Sequence, residues 1–160
     1  MNLKDILFKD NHMKEALKEA QKASIKGEVP VGAVIIKEGK VIARAHNLRE
    51  KNNDPTAHAE IIAIKKAAKK LGGWRLSGCD MYVTLEPCTM CAGAMIHARI
   101  SKVYFGTDDP KAGAAGSILD IFGETRFNHK VEVESGILEN ECSGILKDFF
   151  KNLRGKKNTN

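Results

Sequence analysis

The sequence predicts a single α/β layered domain, and three observations carry that expectation. Amphipathic helical stretches alternate with short β-branched runs along the chain. The 160 residues, 42% of them hydrophobic, suit one core. No repeat, low-complexity block or linker divides them, so the domain is expected to span 1–160 and to close in a basic helix and tail over about 139–160.

Each element has its own signal. Met13, Ala16, Leu17, Ala20 and Ala23 recur at helical spacing ahead of Gly27, which predicts a first helix from about Asn11 to Lys26. Val31 to Lys37 and Val41 to Ala45, parted by Glu38-Gly39-Lys40, read as a hairpin with Asn47 just past its end. From Pro55 the pattern turns helical again. Ile61, Ile62, Ile64, Ala67, Ala68 and Leu71 form an apolar stripe, Lys65, Lys66, Lys69 and Lys70 a wet face, and Gly72-Gly73 the stop, with His58 and Glu60 expected in the first turn.

Met81 to Leu85 reads as a strand that Pro87 interrupts, and Met90 to Arg99 as a helix with Cys88 and Cys91 where it begins. Ile100 to Phe105 is a fourth strand, and Gly106 to Ser117 a glycine-rich loop able to approach a ligand closely. Val131 to Val133 is a fifth, short strand. The chain ends in a helix from Ile137 to about Arg154, apolar at Ile145, Leu146, Phe149 and Phe150 and basic at Lys147, Lys151 and Arg154.

Twenty-six basic against 20 acidic residues leave a formal charge of +6, which favours a polyanionic partner without identifying one. No run approaches the roughly 20 apolar residues of a membrane span, and Met1 to Lys9 lacks a signal peptide's apolar core. A cytoplasmic location without membrane attachment is therefore expected. Of the four cysteines only Cys88 and Cys91 have diagnostic spacing; Cys79 and Cys142 are expected to be reduced core residues.

The chemistry concentrates in His58-Ala59-Glu60 and Pro87-Cys88-Thr89-Met90-Cys91. Two cysteines three apart at a helix start can face one ion, and a histidine at the start of a neighbouring helix supplies a third bond. Three protein ligands leave the fourth tetrahedral position of a zinc ion to water, whose pKa falls from about 15.7 towards about 7. Glu60 lies two residues beyond the histidine ligand, where it can move protons without occupying the metal, and the helix N-terminus is expected to keep it ionised. Singly these residues mean little, because Cys-x-x-Cys is shared with redox and zinc-ribbon proteins. Together they form the pattern of the zinc deaminases of nucleobases.

Longer strings extend the match: Gly27-Glu28-Val29-Pro30-Val31-Gly32-Ala33-Val34, Asp54-Pro55-Thr56-Ala57-His58-Ala59-Glu60, Thr84-Leu85-Glu86-Pro87-Cys88 through Ala94, and Gly113-Ala114-Ala115-Gly116-Ser117. In these the chain resembles the bacterial tRNA-specific adenosine deaminases of the cytidine and deoxycytidylate deaminase-like superfamily. The resemblance implies a three-layer α/β/α cytidine deaminase-like fold, with a five-stranded mixed sheet flanked by helices. It implies a homodimer with one Zn2+ per subunit, which deaminates the wobble adenosine in the anticodon stem-loop of an arginine tRNA with an ACG anticodon. It also implies roles by position: Asn47 bonds the flipped base, Val31 and Ala59 belong to its pocket, and Asp108, Asp109 and Lys111 contact flanking nucleotides. Phe150 and Arg154 fall near the RNA. Phe122 to Phe127 and the tail beyond Gly155 match poorly.

Two other readings use the same residues. A deaminase of a free cytosine, cytidine or guanine would need the same zinc and glutamate. A non-catalytic zinc-stabilised RNA-binding module would need a fourth ligand and would leave Glu60 without a purpose.

Overall fold

The computed structural model describes residues 1–158; the last two residues of the expected basic tail, 159 and 160, lie outside the described residues. The five expected strands are present as β1 (Gly32–Lys37), β2 (Lys40–His46), β3 (Cys79–Leu85), β4 (Lys102–Thr107) and β5 (Glu132–Glu134). The helices are α1 (Leu3–Ile25), α2 (Arg49–Asn52), α3 (Ala59–Leu71), α4 (Thr89–His97) and α5 (Glu139–Lys157).

The strands form one mixed sheet in the order β2-β1-β3-β4-β5. β1 pairs antiparallel with β2 and β3, while β3–β4 and β4–β5 are parallel. Parallel neighbours need a crossover, and α4 supplies it between β3 and β4. Side chains alternate across the sheet and divide the core in two. Ala33, Ile35, Met81, Val83, Val103 and Phe105 face α3 and α4, whereas Val34, Ile36, Tyr82 and Tyr104 pack with Met13 of α1 and Cys142 of α5. The result is the expected three-layer arrangement. Close approach explains one glycine: a Cβ on Gly106 of β4 would meet Cys142, so its absence lets α5 lie against the sheet.

Several boundaries differ from expectation, β4 running from Lys102 to Thr107 and α5 from Glu139 to Lys157 among them, and one helix is new. α1 starts at Leu3 rather than Asn11, because Asn2 caps it by accepting from the Asp5 N–H at 2.9 Å. Its first residues leave Leu3, Ile6, Leu7 and Phe8 exposed, so no buried stripe announces this part of the helix. α2 was not expected at all, since four residues show no period. β5 is shifted by one residue, to Glu132–Glu134. Cys79 and Cys142 are, as expected, buried free thiols.

Candidate metal centre and substrate cleft

The site forms where β3 ends and α3 and α4 begin. Both helices open on a ligand residue: His58 is the N-cap of α3 and Cys88 the N-cap of α4, each extended, and neither side chain caps its own helix. The expected position of His58 inside the first turn is thus corrected by one residue, while Glu60 is the second residue of α3. Leaving an N-cap side chain free aims it away from the helix and directs both helix N-termini, with their partial positive charge, at one point.

His58 Nδ1 lies 3.6 Å from Cys88 Sγ and 3.5 Å from Cys91 Sγ, and all three ligand atoms fall within 4.8 Å of one another. A tetrahedral zinc with bonds of about 2.3 Å to sulfur and about 2.0–2.1 Å to nitrogen has an S···N edge of roughly 3.5 Å. The donors therefore fit zinc in kind and in spacing. Among the described residues the cluster has three members and no fourth, as an open coordination position requires. Cys88 is lowered to about 4 by the hydrogen bond from Cys91 and, against its burial, by that from His58. Cys91 is raised because it donates to Cys88 and is buried.

Glu60 is 4% exposed, and burial pushes its carboxyl above the usual carboxylate range although its own backbone N–H and His58 pull the other way. Burial thus works against the helix N-terminus, which favours the ionised form, and the balance lies on the raised side. A carboxyl moved up towards neutrality is better matched to taking and returning a proton.

Above this floor opens a cleft of about 430 Å³. Val31, Asn47, Ala59, Glu60, Asp108, Asp109, Lys111 and Phe150 all line it together with His58 and Cys88. Arg154 does not: it lies beyond Phe150 on α5 and is not among the lining residues. Asn47 is committed in part to the chain itself, its Nδ2 donating to Val29 O at 3.2 Å and its Oδ1 accepting from the Arg49 N–H at 3.2 Å. Each amide atom retains capacity for one further bond. Asp109 likewise first makes a turn, its Oδ1 accepting from the Lys111 and Ala112 N–H groups. Phe150 is 40% exposed and meets Phe149 edge to face, which leaves part of its ring open to the cleft.

Sequence reasoning missed Glu86, Glu28 and Arg49. Glu86, 3% exposed, accepts from the backbone N–H groups of Asp109, Ala115 and Ser117 and from the Ser117 hydroxyl. Burial opposes its ionisation, yet these donors hold its carboxyl below the usual range. A Cβ on Gly113 would fall on this carboxylate, so the glycine is needed for the loop to close on it. Its place between Leu85 and Pro87, against Cys88, was the one available signal. Arg49 lines the cleft from α2, and no local pattern marks it.

Three comparisons bear on this arrangement. Residues 8–154 match the family model of the MafB19-like deaminases. The chain is 57% identical over 146 residues to the tRNA-specific adenosine deaminase of Bacillus subtilis, covering 91% of each. Among solved structures it superposes with a TM-score of 0.82 at 48% identity on one from biochemical and structural studies of A-to-I editing by tRNA:A34 deaminases, covering 85% of this chain and 99% of that one. It shares the fold, at 23% identity and a TM-score of 0.74, with a guanine deaminase from Nitrosomonas europaea, over 88% of this chain and 83% of that one.

Proposed function

The chain belongs to the MafB19-like deaminases and, among them, to the tRNA-specific adenosine deaminases, and on that premise we infer how its residues convert adenosine to inosine in tRNA. The reaction is hydrolytic: water adds at C6 of adenine, the ring nitrogen gains a proton, and ammonia leaves. His58, Cys88 and Cys91 hold the zinc ion, their convergence being the observation that carries this reading. Zinc held by this set would supply Lewis acidity, lowering the pKa of a water towards neutrality so that a nucleophile would be available at neutral pH.

The chain's own groups do the rest. Glu60 takes one proton of the attacking water and passes it to the ring nitrogen, then takes the second from the hydroxyl now on C6 and gives it to the departing amino group; its burial keeps competing solvent away from these transfers. Asn47 orients the base by the remaining capacity of its amide, beside the apolar surfaces of Val31 and Ala59. Phe150 offers a face for stacking, and Asp108, Asp109 and Lys111 meet the neighbouring nucleotides. Arg154 acts further out, on the RNA backbone.

A base must leave its stack to reach the floor of this cleft, which costs least in a single-stranded loop, so the substrate is an anticodon stem-loop. We further infer that 1–160 act as one deaminase domain, that two copies form a homodimer, and that the enzyme works in the cytoplasm. Among the described residues no helix is long and apolar enough to cross a membrane. The test is to incubate the zinc-loaded protein with an ACG anticodon stem-loop and, separately, with free adenosine, cytidine and guanine. Inosine at the wobble position with little product from the free compounds is expected. Free compounds deaminated as efficiently as the loop would refute the RNA assignment.

A further inference from the structure

Arg49 and Lys111 are the arginine and lysine that line the cleft. Lys111 sits on the loop after β4, whereas Arg49 opens α2 and is fixed from several directions. Its N–H donates to Asn47 Oδ1, its carbonyl accepts from the Asp54 N–H at 3.1 Å, and the next two N–H groups, of Glu50 and Lys51, each donate at 2.9 Å to one oxygen of the Glu28 carboxylate. All the early donors of this short helix are thus consumed inside the protein, and what α2 offers the cleft is the Arg49 side chain. Glu28 is 1% exposed and lies directly before Val29 and Val31, so one buried carboxylate ties the segment carrying Arg49 to the cleft wall.

The Arg49 side chain itself is exposed, and no carboxylate among the described residues forms an ion pair with it, although Asp108 and Asp109 line the same cleft. A neutral adenine gives a guanidinium there nothing to neutralise. An RNA strand brings a phosphodiester with every nucleotide, and the planar fork of arginine matches two phosphate oxygens.

We propose that Arg49 binds a phosphodiester adjoining the nucleotide under reaction, and that buried Glu28 is the positioning residue that holds Arg49 at the cleft. This rests on the reading of tRNA as substrate. It adds to that reading a contact in which the strand is recognised by charge beside the reacting base and not only along α5.

The experiment is stem-loop deamination as a function of KCl concentration for the zinc-loaded wild type, Arg49→Gln, Arg49→Lys, Glu28→Gln and a distant charge control, Lys4→Gln. Arg49→Gln should raise KM roughly tenfold at low salt, as loss of a charge-assisted contact does. It should also make the salt dependence of log KM shallower by about 0.7, the share of one single-strand phosphate. Its kcat should change much less than its KM. Arg49→Lys should restore the slope while leaving KM elevated, because charge returns without the fork. Glu28→Gln should raise KM with zinc content and kcat near wild type, a split that general unfolding would not produce, and Lys4→Gln should match wild type. A wild type that deaminates free adenosine as well as the stem-loop overturns the RNA reading itself. A wild type that prefers the stem-loop while Arg49→Gln retains its KM and salt slope overturns the Arg49 assignment alone, and loss of zinc or kcat in Glu28→Gln overturns the positioning role.

Discussion

The floor of the cleft and its rim are built by different means. At the floor, His58 and Glu60 sit two residues apart at the start of α3, and Cys88 and Cys91 three apart at the start of α4, so the geometry follows from helix periodicity once the two helix ends meet. At the rim, Glu86 holds residues 23, 29 and 31 positions away, and Glu28 holds residues 22 and 23 positions away. The floor therefore resists change until a ligand is lost, whereas the rim depends on single buried carboxylates that bridge distant segments. Substitutions should divide along the same line, those at the floor acting on chemistry and those at the rim on recognition.

The largest effect belongs to the ligands. Cys88→Ala with Cys91→Ala should abolish zinc binding and deamination together and lower stability, since metal binding and folding share free energy. Metal analysis of the purified protein checks it, and full zinc occupancy in the double variant would break the assignment of the floor.

Next comes Glu60→Ala, which should retain zinc and RNA binding while turnover falls by roughly 100 to 10,000-fold, the usual contribution of general acid–base catalysis. Single-turnover measurement with saturating stem-loop isolates this step. Turnover within a few-fold of wild type would remove Glu60 from the proton path.

Glu86→Gln tests the rim without touching a ligand. An amide has one acceptor oxygen and places an NH2 group against donors, so stability should fall by about 2–4 kcal/mol in urea denaturation, with zinc still bound. Gly113→Ala should act in the same direction, by pushing a methyl group into the Glu86 carboxylate. If Glu86→Gln lost zinc as readily as the cysteine variants, floor and rim would be one unit and the comparison would fail.

The smallest effects concern outlying charge. Lys111→Ala and Arg154→Ala should raise the RNA concentration required by a few-fold and flatten its salt dependence. Lys111 should count for more, because it lines the cleft and Arg154 does not. Equal effects, read from salt titrations of stem-loop binding, would mean that the strand runs along α5 as closely as over the cleft.

The amino-acid sequence by itself determined the five strands, the helices α3 and α4 whose starts carry the chemistry, and the set His58, Glu60, Cys88 and Cys91. All of these are written in local spacing, and a period of 2 or 3.6 is visible without knowing what lies across the core. It did not determine that α1 begins at Leu3, because those turns bury no stripe and depend on the Asn2 cap. Nor could it show Arg49 of α2 or Glu86 as parts of the cleft, or Glu28 as the carboxylate that holds α2 beside it. A four-residue helix has no period, and a carboxylate that accepts backbone N–H groups more than twenty residues away leaves no pattern around itself. The upward shift of Glu60 was hidden from the sequence for a related reason. A helix N-terminus is a local property readable from position, but desolvation depends on everything packed around the carboxyl, and only the assembled core decides how much water is excluded.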